Sequence, residues 1–204
     1  MPLPPPSSVP QGETLADRVL VITGATGGLG APLARACAAQ GATVVLHGRI
    51  ERKLDALYDE IVAAGHPEPV ILPLDLASAL MPLLDAARDA SVVFTLDSRG
   101  EQPRAYWGGY AVTKAGVSTL ARELADEWEN RANLRINAVV PGPIRSPLRN
   151  QSHPGEDRAA LPLPESIVPL YLHLLAGQTK AESGVMLDAQ AWLAGTSCTS
   201  LLRA

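Results

Sequence analysis

Residues 18–30, RVLVITGATGGLG, decide the fold of this chain. A run of aliphatic and β-branched residues, typical of a strand that is buried on both faces, passes directly into a loop with four glycines. The loop in turn opens an alanine-rich stretch with helical composition. A strand, a glycine-rich turn and a helix in this order indicate the first unit of an α/β domain.

Beyond this stretch, short hydrophobic runs alternate with longer helical ones. The alternation predicts parallel strands joined by helical crossovers, and therefore an α/β fold with a doubly wound, mostly parallel sheet. The predicted strands are residues 18–23, 43–47, 70–74, 91–95, 135–140 and 184–187. The predicted helices are residues 28–40, 52–64, 78–87, 110–130 and 165–175.

The composition limits the possible functions. With 204 residues, 47% hydrophobic and 19% charged, the chain has the size of one globular domain. A net charge of -4 without blocks of like charge argues against nucleic-acid binding. No apolar run approaches a membrane span and residues 1–10 lack the pattern of a secretory signal, so we expect a cytoplasmic protein without a membrane partner. Cys37, Cys198 and the scattered histidines show no metal-binding spacing, so no metal site is expected.

The spaced glycines of the first loop predict a phosphate site. Glycine permits a tight turn and a close approach of the backbone to a pyrophosphate, while the N–H groups and dipole of the following helix stabilise its negative charge. The residues expected to form this site are Gly24, Thr26, Gly28, Leu29 and Gly30. A glycine-rich turn without any ligand is the alternative interpretation.

Arg49 stands about where a dinucleotide-binding protein places the residue that reads the ribose. An acid there selects NAD, whereas an arginine accommodates the 2′-phosphate of NADP. No Asp or Glu occurs between Gly41 and Ile50, so the pattern favours NADP (NADPH). A solvated charge at the end of a strand remains the alternative.

Tyr110 and Lys114 stand four residues apart on a predicted helix, which places them on one face. An ammonium close to a phenol stabilises the phenolate and lowers the phenol pKa, as an acid/base group at a carbonyl oxygen requires. Taken alone, such a pair is usually a surface or packing pair.

These features occur in a family-specific order. TGxxxGxG is followed by Asp75 after the third predicted strand, by Tyr110 and Lys114, and by Pro141 and Gly142. In this order the chain resembles the short-chain dehydrogenase/reductase superfamily over residues 15–76 and 80–190. The runs AYWGGYAVTK (105–114), LADEWENR (124–131) and YLHLL (171–175) are most similar to bacterial YciK-type oxidoreductases.

The resemblance implies a Rossmann-like fold and hydride transfer between NADP(H) and a small carbonyl or alcohol substrate. Asp75 would contact the adenine, Tyr110 would be the general acid/base, and Lys114 would bind the nicotinamide ribose. Pro141, Gly142 and the hydroxyl of Ser146 would flank the nicotinamide. We expect three segments: a flexible Pro-rich arm (1–14), an NADP-binding Rossmann domain (15–190) and a C-terminal tail (191–204).

The chain departs from the family pattern beside the tyrosine. The superfamily places a serine 13 residues before it, to hydrogen-bond the substrate carbonyl, and here that position holds Asp97. A carboxylate accepts but does not donate a hydrogen bond, and it would repel a developing alkoxide. A shift of one residue would bring Ser98 into this role, which makes Ser98 a third candidate catalytic residue. A plain turn residue is the alternative interpretation of Ser98.

A second departure is a missing internal segment. Only 15 residues separate Asp75 from Ser91, enough for one helix and no strand. No asparagine precedes Asn130, so the catalytic asparagine of the family has no counterpart upstream of the Tyr-Lys helix. We therefore expect a sheet that lacks one central strand and its flanking helices.

Three functions remain open from the sequence. The first is an NADP-dependent oxidoreductase, which the intact Tyr110 and Lys114 pair favours. The second is a catalytically impaired, nucleotide-binding relative, which Asp97 and the missing asparagine favour. The third is an oligomerisation partner for a full-length homologue, since the tyrosine helix packs in subunit interfaces of the family and Tyr106, Trp107 and Trp128 lie near or on it. A place in the core explains these aromatic residues equally well. For the chain itself we expect a homo-oligomer.

Overall fold

The computed structural model describes residues 14–48, 50–73, 77–176 and 183–202. Its strands are β1 (Val19–Thr23), β2 (Thr43–Gly48), β3 (Val70–Pro73), β4 (Ala90–Thr95), β5 (Leu134–Val140), β6 (Val185–Asp188) and β7 (Thr199–Leu201). Its α-helices are α1 (Gly30–Ala39), α2 (Glu51–Ala63), α3 (Ala77–Ala86), α4 (Ser98–Glu101), α5 (Gly108–Glu127), α6 (Pro147–Ser152), α7 (Val168–Leu175) and α8 (Ala189–Leu193). Two 3-10 turns, Arg158–Ala160 and Pro164–Ile167, precede α7.

The chain divides into two compact units, which we describe separately. The loop unit comprises the described residues of Ser7–Ala79 and Ile144–Leu172. The tyrosine unit comprises the described residues of Leu80–Pro143 and His173–Ala204. The predicted α/β class is confirmed, since in both units parallel strands alternate along the chain with helices.

The loop unit is built on a three-stranded parallel sheet in the order β1-β2-β3. Val19 pairs with Thr43, and Val45 with Val70. The apolar residues of α2 recur at spacings of three and four, which places them on one face of the helix. Leu54, Leu57 and Ile61 are buried as this spacing requires.

The tyrosine unit is built on a four-stranded sheet in the order β4-β5-β6-β7. The first three strands are parallel, and β7 runs antiparallel to β6. All seven residues of β5 are buried, as expected for a strand covered on both faces. Helix α5 joins this core through Ala121 and Ala125, whose small side chains allow a close approach of helix and strand.

The segment between β3 and β4 is as short as the count of 15 residues between Asp75 and Ser91 predicts. Among the described residues, α3 is the one regular element between β3 and β4. The structure adds elements that the sequence patterns did not predict, namely the short helices α4, α6 and α8 and the edge strand β7. In the described part of the chain, we find no helix whose length and hydropathy would suit a bilayer crossing.

Candidate functional site

The glycine loop between β1 and α1 takes a shape that favours glycine at Gly24 and requires it at Gly30. Gly24 has a φ of 66°, in the left-handed region, and its carbonyl accepts a hydrogen bond of 2.8 Å from the N–H of Gly27. A Cβ atom on Gly30 would lie 2.1 Å from the Gly24 oxygen, and backbone cannot move aside as a side chain can. The start of α1 therefore folds back tightly onto the end of β1.

This loop leaves backbone donors unused. Among the described residues, no acceptor bonds the N–H groups of Gly28, Leu29 and Gly30, which lie at the N-terminus of α1. The helix dipole adds partial positive charge at this end, so the three donors suit an anion such as a phosphate. Thr26 is half-buried beside the end of β2, with its Oγ1 3.7 Å from the position that a Cβ on Gly48 would take.

Ser146 lies against the same loop, within the loop unit. A Cβ atom on Gly28 would lie 2.9 Å from the Cβ of Ser146, so glycine is needed there for the segment to approach. The Ser146 hydroxyl accepts a hydrogen bond of 3.1 Å from the N–H of Arg149 and caps α6. Arg149 in turn donates two hydrogen bonds of 2.6 Å to Glu156, and this guanidinium lowers the pKa of the Glu156 carboxyl.

The tyrosine unit carries Tyr110 and Lys114 on the first turns of α5, both half-buried. The Lys114 Nζ stands 5.9 Å from the centre of the Tyr110 ring. The Trp107 ring lies 5.5 Å from that of Tyr110, measured between centroids, and the Arg99 guanidinium covers Trp107 at 5.1 Å. The predicted pairing of Tyr110 and Lys114 on one face is thus present in the local geometry.

Asp97 contacts the hydroxyl of Tyr110 directly. The Tyr110 O–H donates a hydrogen bond of 2.8 Å to Asp97 Oδ2, while Asp97 Oδ1 accepts one of 2.8 Å from the backbone N–H of Arg99. The second bond makes Asp97 the N-cap of α4. A Cβ on Gly100 would lie 2.7 Å from the backbone carbon of Lys114, so α4 is pressed against α5 at this point.

This environment raises the pKa of Tyr110 to about 12. Partial burial of the hydroxyl is the largest cause, followed by the hydrogen bond to Asp97 and by the negative charge of Asp97. Tyr110 is therefore a neutral phenol near neutral pH in this arrangement, and not the phenolate that a Tyr-Lys pair suggests by itself.

The remaining predicted residues are distributed as follows. Ser98 begins α4, is exposed, and accepts a hydrogen bond of 2.8 Å at its backbone carbonyl from Gln102; its neighbour Asp97 makes the contact with the tyrosine. Pro141 and Gly142 form the turn after β5. Arg49 and Asp75 lie outside the described residues. Over the part of the chain that the structure describes, no group of metal-binding side chains occurs.

Gln190 is a residue of this region that the sequence patterns did not single out. Its Nε2 donates a hydrogen bond of 2.7 Å to the carbonyl of Pro141, and a Cβ on Gly142 would lie 2.4 Å from the Gln190 Cγ. The side chain of Gln190 therefore fills the space beside Gly142 and holds the turn from the far side of β6. No local pattern could reveal this contact, since 49 residues separate its partners.

Comparisons with known proteins place this geometry in a family. The family profile described as short chain dehydrogenase matches residues 18–79 and 73–157. An uncharacterized oxidoreductase, YciK, of Escherichia coli strain K12 is 30% identical, with 89% of this chain and 95% of the relative covered. That alignment runs over 241 residues, more than the 204 of this chain, so the relative contains positions that this chain lacks. The predicted missing segment agrees with this difference.

Solved structures agree with the same assignment. A putative short chain dehydrogenase from Pseudomonas syringae superposes with a TM-score of 0.81 at 33% identity, covering 87% of this chain and 96% of its own. A putative short chain dehydrogenase from Escherichia coli CFT073, complexed with NADPH, gives a TM-score of 0.81 at 30% identity, covering 89% and 100%. From the profile, the relatives and the fold together, this chain belongs to the short chain dehydrogenase family.

Proposed function

We propose that the chain is an NADP(H)-dependent oxidoreductase that transfers hydride between NADP(H) and a small carbonyl or alcohol substrate. The observation that carries the proposal is the loop before α1, where glycines bring the backbone close and three N–H groups have no acceptor among the described residues. Two similar structures, from Shigella flexneri and Escherichia coli, are complexed with NADP and NADPH.

The loop unit would bind the phosphates of the cofactor. The donors of Gly28, Leu29 and Gly30 fit a pyrophosphate, because an anion would satisfy three groups that are otherwise without an acceptor in the described structure. Gly24 and Thr26 would complete this loop. Arg49 would pair with the 2′-phosphate, and Asp75 would contact the adenine, as the family resemblance implies.

The tyrosine unit would supply the acid/base chemistry. The nicotinamide, when bound, would supply or accept the hydride. Tyr110 would exchange a proton at the substrate oxygen, and Lys114 would hold the nicotinamide ribose. Pro141, Gly142 and Ser146 would flank the nicotinamide ring, and Ser98 remains a candidate for a contact with the substrate.

Titration of the purified full chain with NADPH, followed by fluorescence and thermal shift, tests the cofactor assignment. Removing a guanidinium that pairs with the 2′-phosphate is expected to weaken binding by about tenfold or more. We therefore expect Arg49→Ala to weaken NADPH binding while leaving NADH, which lacks this phosphate, unaffected. Arg52→Ala removes a nearby exposed arginine and serves as the matched control. Equal binding of NADPH by wild type and Arg49→Ala would reject the assignment.

A screen of small carbonyl and alcohol substrates tests catalysis. Loss of turnover in Tyr110→Phe, with NADPH binding retained, is the result expected of an enzyme. Lys114→Ala should weaken NADPH binding as well as turnover, because its proposed contact is with the cofactor. Turnover that persists in Tyr110→Phe would remove Tyr110 from the mechanism.

The second candidate is a catalytically impaired, nucleotide-binding relative. The hydrogen bond from Tyr110 to Asp97 favours it, because the phenol is stabilised in its neutral form. Tight NADPH binding without turnover of any substrate in the screen would support this candidate over the enzyme.

Self-association is the interaction we propose for the chain. Tyr106 is fully exposed and Val112 on α5 is 73% exposed, so the tyrosine helix has uncovered apolar surface. Light scattering of the purified chain should give a homo-oligomer, and a monomer would contradict this proposal. The proposed compartment is the cytoplasm, where two free cysteines such as Cys37 and Cys198 are stable.

A further inference from the structure

We propose that Asp97 is a catalytic residue, namely the proton acceptor in the oxidation of an alcohol, and that Tyr110 passes the proton from the alcohol to Asp97. The inference rests on the proposed function, because the hydride acceptor is the NADP⁺ assigned there. It adds a residue to that function: in alcohol oxidation the Asp97–Tyr110 pair receives the substrate O–H proton, and in the reverse reduction the same two residues return it.

The Tyr110 hydroxyl already uses its one donor. A phenol has one O–H donor and lone pairs that accept. The single proton is already directed to Asp97 Oδ2, 2.8 Å away. Towards any third group, the Tyr110 oxygen can therefore act only as an acceptor. With the Tyr110 proton directed to Asp97, an alcohol O–H would find its acceptor at the Tyr110 oxygen.

Asp97 is held in place by contacts on both sides. Its other oxygen, Oδ1, is occupied by the backbone N–H of Arg99 at 2.8 Å. The helix that Asp97 caps is pressed against α5 at Gly100, where no Cβ could be accommodated beside the backbone of Lys114. Because both helices are fixed at this contact, the carboxylate and the hydroxyl stay within hydrogen-bonding distance without a rearrangement.

Among the described residues, no salt bridge involves Asp97. On α5, Lys114 stands 5.9 Å from the Tyr110 ring and makes no ion pair with any described carboxylate. On α4, the Arg99 guanidinium lies over Trp107, and Glu101 is bound by Ser118 and by Arg122. Asp97 is thus the carboxylate in contact with the Tyr110 hydroxyl.

The step balances in atoms and charge. The alcohol C–H bond would break, its hydride would pass to the NADP⁺ of the proposed function, and the alcohol carbon would be oxidised to a carbonyl carbon. The alcohol O–H proton moves to the Tyr110 oxygen as the Tyr110 proton moves to Asp97, so Tyr110 ends as it began. The carboxylate becomes a neutral carboxylic acid, and therefore no anion faces another as the reaction proceeds. Solvent then removes the proton from Asp97.

The shifted titration of Tyr110 is consistent with this division of roles. Its pKa of about 12 keeps it a neutral phenol near neutral pH, so a free phenolate is not the resting base. A relay needs the phenol only to exchange one proton for another, and the carboxylate supplies the basicity.

The pH profile of alcohol oxidation by the full chain with NADP⁺ tests the inference. Carboxylates are ionised throughout the neutral range, so kcat/KM for the wild type should be flat between about pH 6 and about pH 9. In Asp97→Ser the base has to be a phenolate, so kcat/KM should be about 100-fold lower at neutral pH and rise about tenfold per pH unit. Asp97→Asn keeps the shape but cannot take the proton, and it should lose oxidation by about 100-fold. Asp97→Glu should recover part of the activity.

The control is Asp126→Asn, which makes the same chemical change at an exposed position of α5. It should match the wild type in rate and in pH profile. Circular dichroism and NADP⁺ binding establish that the Asp97 variants are folded. The inference would be overturned by a wild-type kcat/KM that rises with pH, or by a kcat/KM of Asp97→Asn within threefold of the wild-type value. A threefold change in rate corresponds to roughly 0.6 kcal/mol.

A measurement without turnover separates this inference from the proposed function. Near-ultraviolet absorbance of the chain without cofactor, minus that of Tyr110→Phe, reports the titration of Tyr110. Both Asp97→Asn and Asp97→Ser should shift this titration to lower pH, and an unchanged titration would remove the Asp97 contact on which the inference rests. Absence of NADP⁺ binding defeats the proposed function and with it the inference. Turnover with NADP⁺ that Asp97→Asn leaves within threefold of wild type defeats the inference alone, whereas NADP⁺ binding without any turnover favours the catalytically impaired relative and defeats both.

Discussion

The glycine loop offers backbone atoms to a ligand, whereas the tyrosine site offers side chains. In the loop, backbone geometry requires glycine at Gly30 and favours it at Gly24, and the potential ligands are N–H groups that any residue except proline would provide. At the tyrosine site the ligands are side chains, and a single residue, Asp97, changes what Tyr110 can do. A site made of backbone is thus retained as long as the fold is, whereas a site made of side chains can change its chemistry within an unchanged helix.

The largest effect is expected when one carbon atom is added to the loop by the substitution Gly30→Ala. In Gly30→Ala the new Cβ would lie 2.1 Å from the Gly24 oxygen, so the backbone has to move. We expect the free energy of unfolding to fall by about 1 to 3 kcal/mol, with loss of NADPH binding. Urea unfolding and NADPH titration measure the two effects.

A glycine on α5 provides the control for that substitution. No atom lies within 4 Å of a Cβ placed on Gly116. Gly116→Ala should therefore raise stability, by about 0.5 to 1 kcal/mol, because alanine loses less backbone entropy in a helix. If both alanine variants behave alike, the close contact at Gly30 is not what the loop depends on.

The pH dependence of stability tests the environment of Tyr110. The pKa of Tyr110 is raised from 10.0 to about 12 on folding, so its contribution to stability is complete below pH 10 and is lost as the pH rises towards 12. The stability difference between wild type and Tyr110→Phe should fall over this interval. In Asp97→Asn the fall should be smaller, since burial, the larger cause of the shift, remains. A difference that stays constant with pH would contradict the neutral phenol.

The smallest expected effect is at the segment that lies against Gly28. Ser146→Ala removes the N-cap hydrogen bond to Arg149 and should cost about 1 kcal/mol in unfolding free energy. Ser152→Ala, in the same helix, removes an exposed hydroxyl that contacts two backbone carbonyls and the neighbouring His153 ring but caps no helix, and it should change stability by less than about 0.5 kcal/mol. Equal effects of the two substitutions would show that the cap at Ser146 contributes nothing of its own.

Most of the regular elements could be predicted from hydrophobic pattern and glycine position. The strand predicted over 43–47 extends to Gly48 in the structure, and the helix predicted to begin at Tyr110 begins at Gly108, since glycine gives no helical signal. Helix α4 was missed because four residues, SRGE, are too few for any periodicity. It depends on the cap at Asp97 and on packing against α5.

Only those residues of the candidate site that stand at a fixed spacing in the sequence could be predicted. The interval of 13 residues identified Asp97, but not its hydrogen bond to the Tyr110 hydroxyl, which depends on how α4 meets α5. The roles of Arg49 and Asp75 stay predictions, since they lie outside the described residues.

The hydrogen bond from Gln190 to the carbonyl of Pro141 joins two residues that are far apart in the sequence and are therefore synthesised at different times. The turn after β5 is closed by a side chain that is synthesised 49 residues later. A nascent chain that ends before Gln190 can already hold β4 and β5, yet the turn at Gly142 lacks its brace until the last part of the tyrosine unit emerges. We therefore expect the turn at Gly142 to reach its final structure late in the synthesis and folding of the chain.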